Sequence, residues 1–131
     1  MPTTEVRVAA GVIEGPDGRV LLTRRLLSAH QGGKWEFPGG KLEPGESASH
    51  ALTRELQEEI SITPTQIQEL IEVAHDYGDK QVRLYVFLVQ AFTGQPSAQE
   101  GQGMQWFEPG ELSDLDFPAA NVPILKAYLS S

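Results

Sequence analysis

The stretch Arg54-Glu55-Leu56-Gln57-Glu58-Glu59-Ile60 constrains this chain more than any other. Leu52, Leu56 and Ile60 recur at every fourth position, so at about 100° per residue they form one stripe of a helix. The spacing predicts a helix over Ser47–Ile60, with Ser47 placed to cap its start. Such a stripe must be buried against another layer. His50, Thr53, Gln57 and Ser61 fall roughly opposite and are expected to face water. Glu55, Glu58 and Glu59 gather on a third face, where Ala48 and Ala51 stand one turn earlier and leave room for a close neighbour. For the helix alone this arrangement is unfavourable. Glu55 and Glu59 are a like-charge i,i+4 pair, and negative charge in a last turn opposes the helix dipole. Two readings account for the carboxylates. One is a solvated acidic face with Arg54 paired to Glu58. The other is a hard-cation site whose carboxylate oxygens hold Mg²⁺ or Mn²⁺.

The residues before the helix favour the second reading. Gly39-Gly40-Lys41-Leu42-Glu43-Pro44-Gly45-Glu46 reads as a glycine-rich loop that lets backbone come near a ligand. Lys41 supplies a point charge suited to phosphate. Elsewhere, Thr4–Glu14 reads as a strand partly buried on both faces. Gly15-Pro16-Asp17-Gly18 is a turn, and Arg19–Arg25 returns as the second arm of a hairpin. Leu26–Lys34 is loop-like, and Trp35–Phe37 is a short extended piece stopped by Pro38-Gly39-Gly40. Thr65–His75 and Gln81–Phe92 alternate as strands, with a further short strand over Met104–Phe107. Asn121–Leu129 reads as a closing helix, Pro123 being tolerated in its first turn. The pattern predicts an α/β (α+β) fold, a mixed or antiparallel sheet packed between two helices.

With 131 residues, 40% of them hydrophobic, the chain suits a single domain, 1–131, with one core. It contains no cysteine, which excludes disulfides and cysteine-based sites. No apolar run approaches a membrane span, and the N-terminal stretch lacks a signal-peptide layout, so a cytoplasmic protein is expected. Ten Lys+Arg against eighteen Asp+Glu give a net charge of −8, which argues against a nucleic-acid polymer as partner. A small polyphosphate needs local cations or metal to approach such a surface.

Together, Gly40, five residues, Glu46, seven residues and Arg54-Glu55-Leu56-Gln57-Glu58-Glu59 resemble the signature box of the Nudix hydrolases. One position departs: Ser61 stands where the box has glycine, and serine in a left-handed helix end costs about 1 kcal/mol. Thr23-Arg24-Arg25, Ala29-His30, Glu36–Lys41, Thr63-Pro64, Glu100-Gly101-Gln102 and Asp116–Asn121 extend the resemblance to the MutT branch, the 8-oxo-dGTP diphosphatases. It implies the Nudix fold, a monomer, and hydrolysis of 8-oxo-dGTP or 8-oxo-GTP to the monophosphate and pyrophosphate. That reaction cleanses the nucleotide pool and serves DNA repair and replication. Water attacks the β-phosphorus with the help of Mg²⁺, or Mn²⁺ in its place. A related alternative is a Nudix enzyme for CTP, dCTP or a modified pyrimidine triphosphate.

The resemblance also implies roles for individual residues. Glu55, Glu58 and Glu59, with the Gly39 carbonyl, become metal ligands. Glu100 binds metal or accepts the water proton. Arg54 orients a carboxylate, Glu46 pairs with Arg54 or assists the base, and Lys41 faces phosphate. Arg25 contacts the nucleotide, as do the Gly39-Gly40 backbone and, as pocket walls or as core, Phe37 and Tyr77. Asn121 reads the base, caps the last helix, or does both. Oxidation of guanine at C8 turns N7 into a donor, so an amide oxygen aimed at it favours the lesion, while normal guanine meets two opposed acceptors.

Overall fold

A computed structural model of the chain describes residues 5–26, 32–99 and 102–130. Its framework is β1 (Glu5–Glu14), whose alternate residues are covered on both sides. Ala9 and Ile13 pack on one face, Ala10 and Val12 on the other. A strand buried on both faces reads as a continuous apolar run rather than a clean alternation. The remaining strands are β2 (Val20–Arg24), β3 (Trp35–Glu36), β4 (Gly39–Lys41), β5 (Thr63–Asp76), β6 (Gln81–Thr93) and β7 (Gly103–Phe107). They form one sheet with the path β3-β2-β1-β6-β5, to which β4 adds beside β1 and β7 beside β2. The β1–β6 pair is parallel, from Glu5↔Gln81 to Ile13↔Val89, and the other pairs are antiparallel. The sheet is therefore mixed, as expected.

One expectation is corrected. Gly39-Gly40-Lys41, read as part of a loop, is strand β4, antiparallel to Val8–Ala10. The missing side chains are the reason. A Cβ on Gly39 would overlap the Ala9 carbonyl oxygen, so only glycine lets this segment lie against β1. The loop proper begins at Leu42.

Helix α1 (Ala48–Ile60) covers one face of the sheet. The Ser47 hydroxyl accepts from the His50 amide at 3.2 Å, as its capping role requires. Leu52, Leu56 and Ile60 are fully buried, and such burial stabilises by about 1.5–3 kcal/mol per side chain. His50, Gln57 and Ser61 are exposed, whereas Thr53 is half-buried. The helix ends at Ser61 with φ 62° and ψ 31°, its amide bonded to the Leu56 and Gln57 carbonyls. Serine thus adopts the conformation a glycine would take, and the helix end is kept.

The opposite face is covered by α2 (Val122–Leu129) and by 3₁₀ turns over Pro109–Asp114 and Ala119–Asn121. Leu112, Phe117 and Ile124 pack there on Val12, Leu22 and Val86. The closing helix starts one residue later than the sequence suggests, because Asn121 belongs to the 3₁₀ turn. Thr4 and much of the predicted Leu26–Lys34 loop lie outside the described residues. Among those described, no helix is long and apolar enough to cross a membrane.

Candidate active site

The polar face of α1 is organised by Arg54. Its Nε and Nη2 donate to the two Glu46 oxygens at 2.8 and 2.9 Å, forming a fork. Nη1 donates to Glu55 at 2.8 Å and to Glu58 at 3.4 Å, and Nη2 also reaches the Lys41 carbonyl at 3.0 Å. The Arg54–Glu58 pair exists, but it is the longest of these contacts. Arg54, followed by the Glu43 amide, holds the Glu46 carboxyl down to about 2, and the fork raises the Arg54 guanidinium in turn. One guanidinium thus offsets the repulsion among three carboxylates.

Glu59 is 7% exposed. Its Oε2 accepts from the Gly39 amide at 3.2 Å. Its carbonyl accepts from the Gln99 amide at 3.0 Å and from Gln102 Nε2 at 3.3 Å. Glu100, between these two, lies outside the described residues. Glu58 is more open than Glu55, with side chains 58% and 19% exposed. Among the described residues, no three Asp, Glu or His side chains converge as a ready-made metal cluster. Glu55 and Glu59 nevertheless both face the Gly39-Gly40 backbone. A Cβ on Gly40 would land on the Glu55 carboxylate, so glycine leaves that carboxylate its place against the strand. Carboxylate oxygens are hard donors, which suit Mg²⁺ or Mn²⁺.

β4 joins this face to a cleft of about 200 Å³ on the α2 side. Val8, Ala10, Val82 and Leu84 form its apolar floor, and Gly39, Gly40 and Lys41 its edge. Phe37 is 3% exposed and stacks on Phe117 with centroids 5.5 Å apart. The Tyr77 hydroxyl accepts from the Ala120 amide at 2.9 Å. Both aromatics are core and cleft wall at once.

Asn121 also lines the cleft and is 8% exposed. It stands at the start of α2, yet its side chain makes no capping hydrogen bond. Instead Oδ1 accepts from the Phe37 amide at 3.5 Å. That is long for a hydrogen bond, so the oxygen is loosely held. Asn121 thus holds the N-cap position without a side-chain cap bond, and its amide faces the cleft. Arg25 Nη1 pairs with Glu36 at 2.7 Å on the rim. Burial pushes the Glu36 carboxyl up, against the pull of Arg25.

Two charged cleft residues, Glu36 and Lys80, carry no role in the sequence reading. Glu36 could have been found from its place beside Phe37. Lys80 follows Gly78-Asp79 at a turn, and only the parallel pairing of β6 with β1 brings it to the cleft. Arg25, Lys41 and Lys80 border the cleft of a chain whose net charge is −8. Local cations of this kind draw an anion where the whole surface would repel it.

The family pattern described as the NUDIX domain matches residues 9–127. The chain belongs to the Nudix family. The 8-oxo-dGTP diphosphatase of Escherichia coli K12 is 37% identical over 121 residues, 92% of this Nudix chain and 94% of that protein. The CTP pyrophosphohydrolase of the same organism is 35% identical over 125 residues, 95% and 92% of the two chains. A solved MutT structure, from work on Aliivibrio salmonicida and Vibrio cholerae, superposes with a TM-score of 0.83. It is 39% identical, over 97% of this chain and 98% of that one. Gly40, Glu46, Arg54, Glu55, Glu58 and Glu59 all lie within the residues the NUDIX domain pattern matches.

Proposed function

We propose that the chain is a divalent-metal-dependent 8-oxo-dGTP diphosphatase, active as a monomer and as one catalytic domain. The observation that carries this reading is a buried, loosely held amide, Asn121, in an apolar cleft that opens across Gly39-Gly40 onto the α1 carboxylates. Glu55, Glu58, Glu59 and Glu100, with the Gly39 carbonyl, would hold Mg²⁺ or, in its place, Mn²⁺. When bound, the ion neutralises phosphate charge and acidifies water.

The base enters between the apolar floor and Phe37. Asn121 Oδ1 has two lone pairs, so it can accept from N7–H of the lesion while its amide N–H₂ donates elsewhere. Normal guanine would set an acceptor against an acceptor. Arg25 and Lys41 attract the anionic part of the nucleotide. Arg54 fixes Glu46 and Glu55, and a carboxylate of this face takes the proton of the attacking water. The water oxygen bonds to the β-phosphorus, the bond to the oxygen bridging α and β breaks, and monophosphate and pyrophosphate leave.

A second reading, hydrolysis of CTP or a related pyrimidine triphosphate, is favoured by the 35%-identical CTP pyrophosphohydrolase. Comparison of kcat/KM for 8-oxo-dGTP, dGTP and CTP separates the two. The first reading expects 8-oxo-dGTP to lead by orders of magnitude; a preference for CTP rejects it.

A further inference from the structure

Thr23 lies one residue before the end of β2 and is fully buried, and its hydroxyl finds no hydrogen-bond partner among the described residues. Buried hydroxyls in folded proteins are nearly always bonded, to protein or to ordered water. Thr23 pairs directly with Glu36 on β3 and with Met104 on β7. Residues opposed across strands point to the same face, with Cβ atoms about 4.5–5.5 Å apart. Two residues on, and so on that face too, Arg25 holds Glu36 Oε2 at 2.7 Å. That contact leaves Glu36 Oε1 able to accept. Hydroxyl and carboxylate are thus cross-strand neighbours without a direct bond.

We propose that the Thr23 hydroxyl donates to a buried water, which in turn donates to Glu36. Thr23 is then a positioning residue that steadies the Arg25–Glu36 pair at the wall of the cleft. The assignment rests on the reading of the cleft as the nucleotide site, and it acts on substrate binding rather than on the chemical step. It explains why a sheet interior that is otherwise apolar along Val20, Leu21 and Leu22 carries a hydroxyl at this position.

The test joins a high-resolution crystal structure of the full chain, without nucleotide, to the kinetics of Thr23→Val and Thr23→Ser. A water within hydrogen-bond distance of both Thr23 Oγ1 and Glu36 is expected in the wild type and in Thr23→Ser. Thr23→Val is expected to lack it and to raise KM for 8-oxo-dGTP roughly five- to tenfold with kcat within about twofold. Thr23→Ser, which restores the hydroxyl, is expected to stay within about twofold of the wild type in KM. A dry wild-type hydroxyl, or a Thr23→Val enzyme with unchanged KM, overturns the assignment. If Thr23→Val does not fold, the wild-type crystal decides alone. A wild type that ignores 8-oxo-dGTP yet holds the water would sink the substrate reading and leave the water bridge standing.

Discussion

The α1 face draws its functional groups from one stretch, Gly40–Glu59, whereas the cleft on the α2 side collects Arg25, Phe37, Tyr77, Lys80 and Asn121 from separate segments. The first is polar and held by a single cation, Arg54, with its four carboxylate and carbonyl partners. The second has an apolar floor and one buried amide, with Arg25, Glu36, Lys41 and Lys80 along its border. The contrast teaches how a chain of net charge −8 can host a polyphosphate. Negative charge is concentrated on the α1 face and balanced there by Arg54, while the cleft presents an apolar floor, one buried amide and bordering cations.

The contrast can be broken at several points. Glu59→Gln keeps the size of the side chain but removes its charge, and is expected to lower kcat by roughly 10²–10⁴; near-normal turnover in Mg²⁺ would remove Glu59 from the metal site. Asn121→Ala strikes the other region. It is expected to cut the preference for 8-oxo-dGTP over dGTP by roughly 10²-fold or more, with Glu59-dependent turnover of dGTP retained. An unchanged preference would place base reading elsewhere.

Arg54→Lys leaves a charge but no fork, and a loss of about tenfold in kcat is expected. The same fork has a signature in acid. Glu46 sits at about 2 in the folded protein against an ordinary 4.5. A depressed carboxylate contributes stability that is fully present above 4.5 and lost as pH falls through the folded value. Thermal melts between pH 5 and 2 should therefore fall less steeply in Arg54→Ala than in the wild type. Parallel curves would mean that the fork contributes nothing. The smallest effect is Ser61→Gly, expected to gain about 1 kcal/mol by relieving the left-handed backbone, with no change in kcat.

The difference between the regions also sets what the residues alone could reveal. Leu52, Leu56 and Ile60, the Ser47 cap and the Glu46–Arg54–Glu55 spacing are local, so helix and box could be read directly. The strands β1, β5 and β6 were legible from their apolar residues, though not the parallel register of β1 with β6. β4 was hidden because glycine has no strand pattern of its own; it is a strand only because Ala9 leaves no room for a side chain. Arg54 reaches Glu58, its i,i+4 partner, at 3.4 Å, and also pairs with Glu46, as the resemblance implied. Glu46, eight residues away, took the fork because the loop folds back over the helix. The cleft was legible only through resemblance, and Lys80 was missed for want of any local signal. Glu100 lies outside the described residues.

The most direct test is a crystal of the protein grown with Mn²⁺ and a non-hydrolysable triphosphate analogue, read by anomalous scattering. A peak is expected between Glu55, Glu59 and the Gly39 carbonyl, with the base of the analogue against Asn121. Continued pairing of Glu55 with Arg54 and no manganese signal on the α1 face would contradict the whole account.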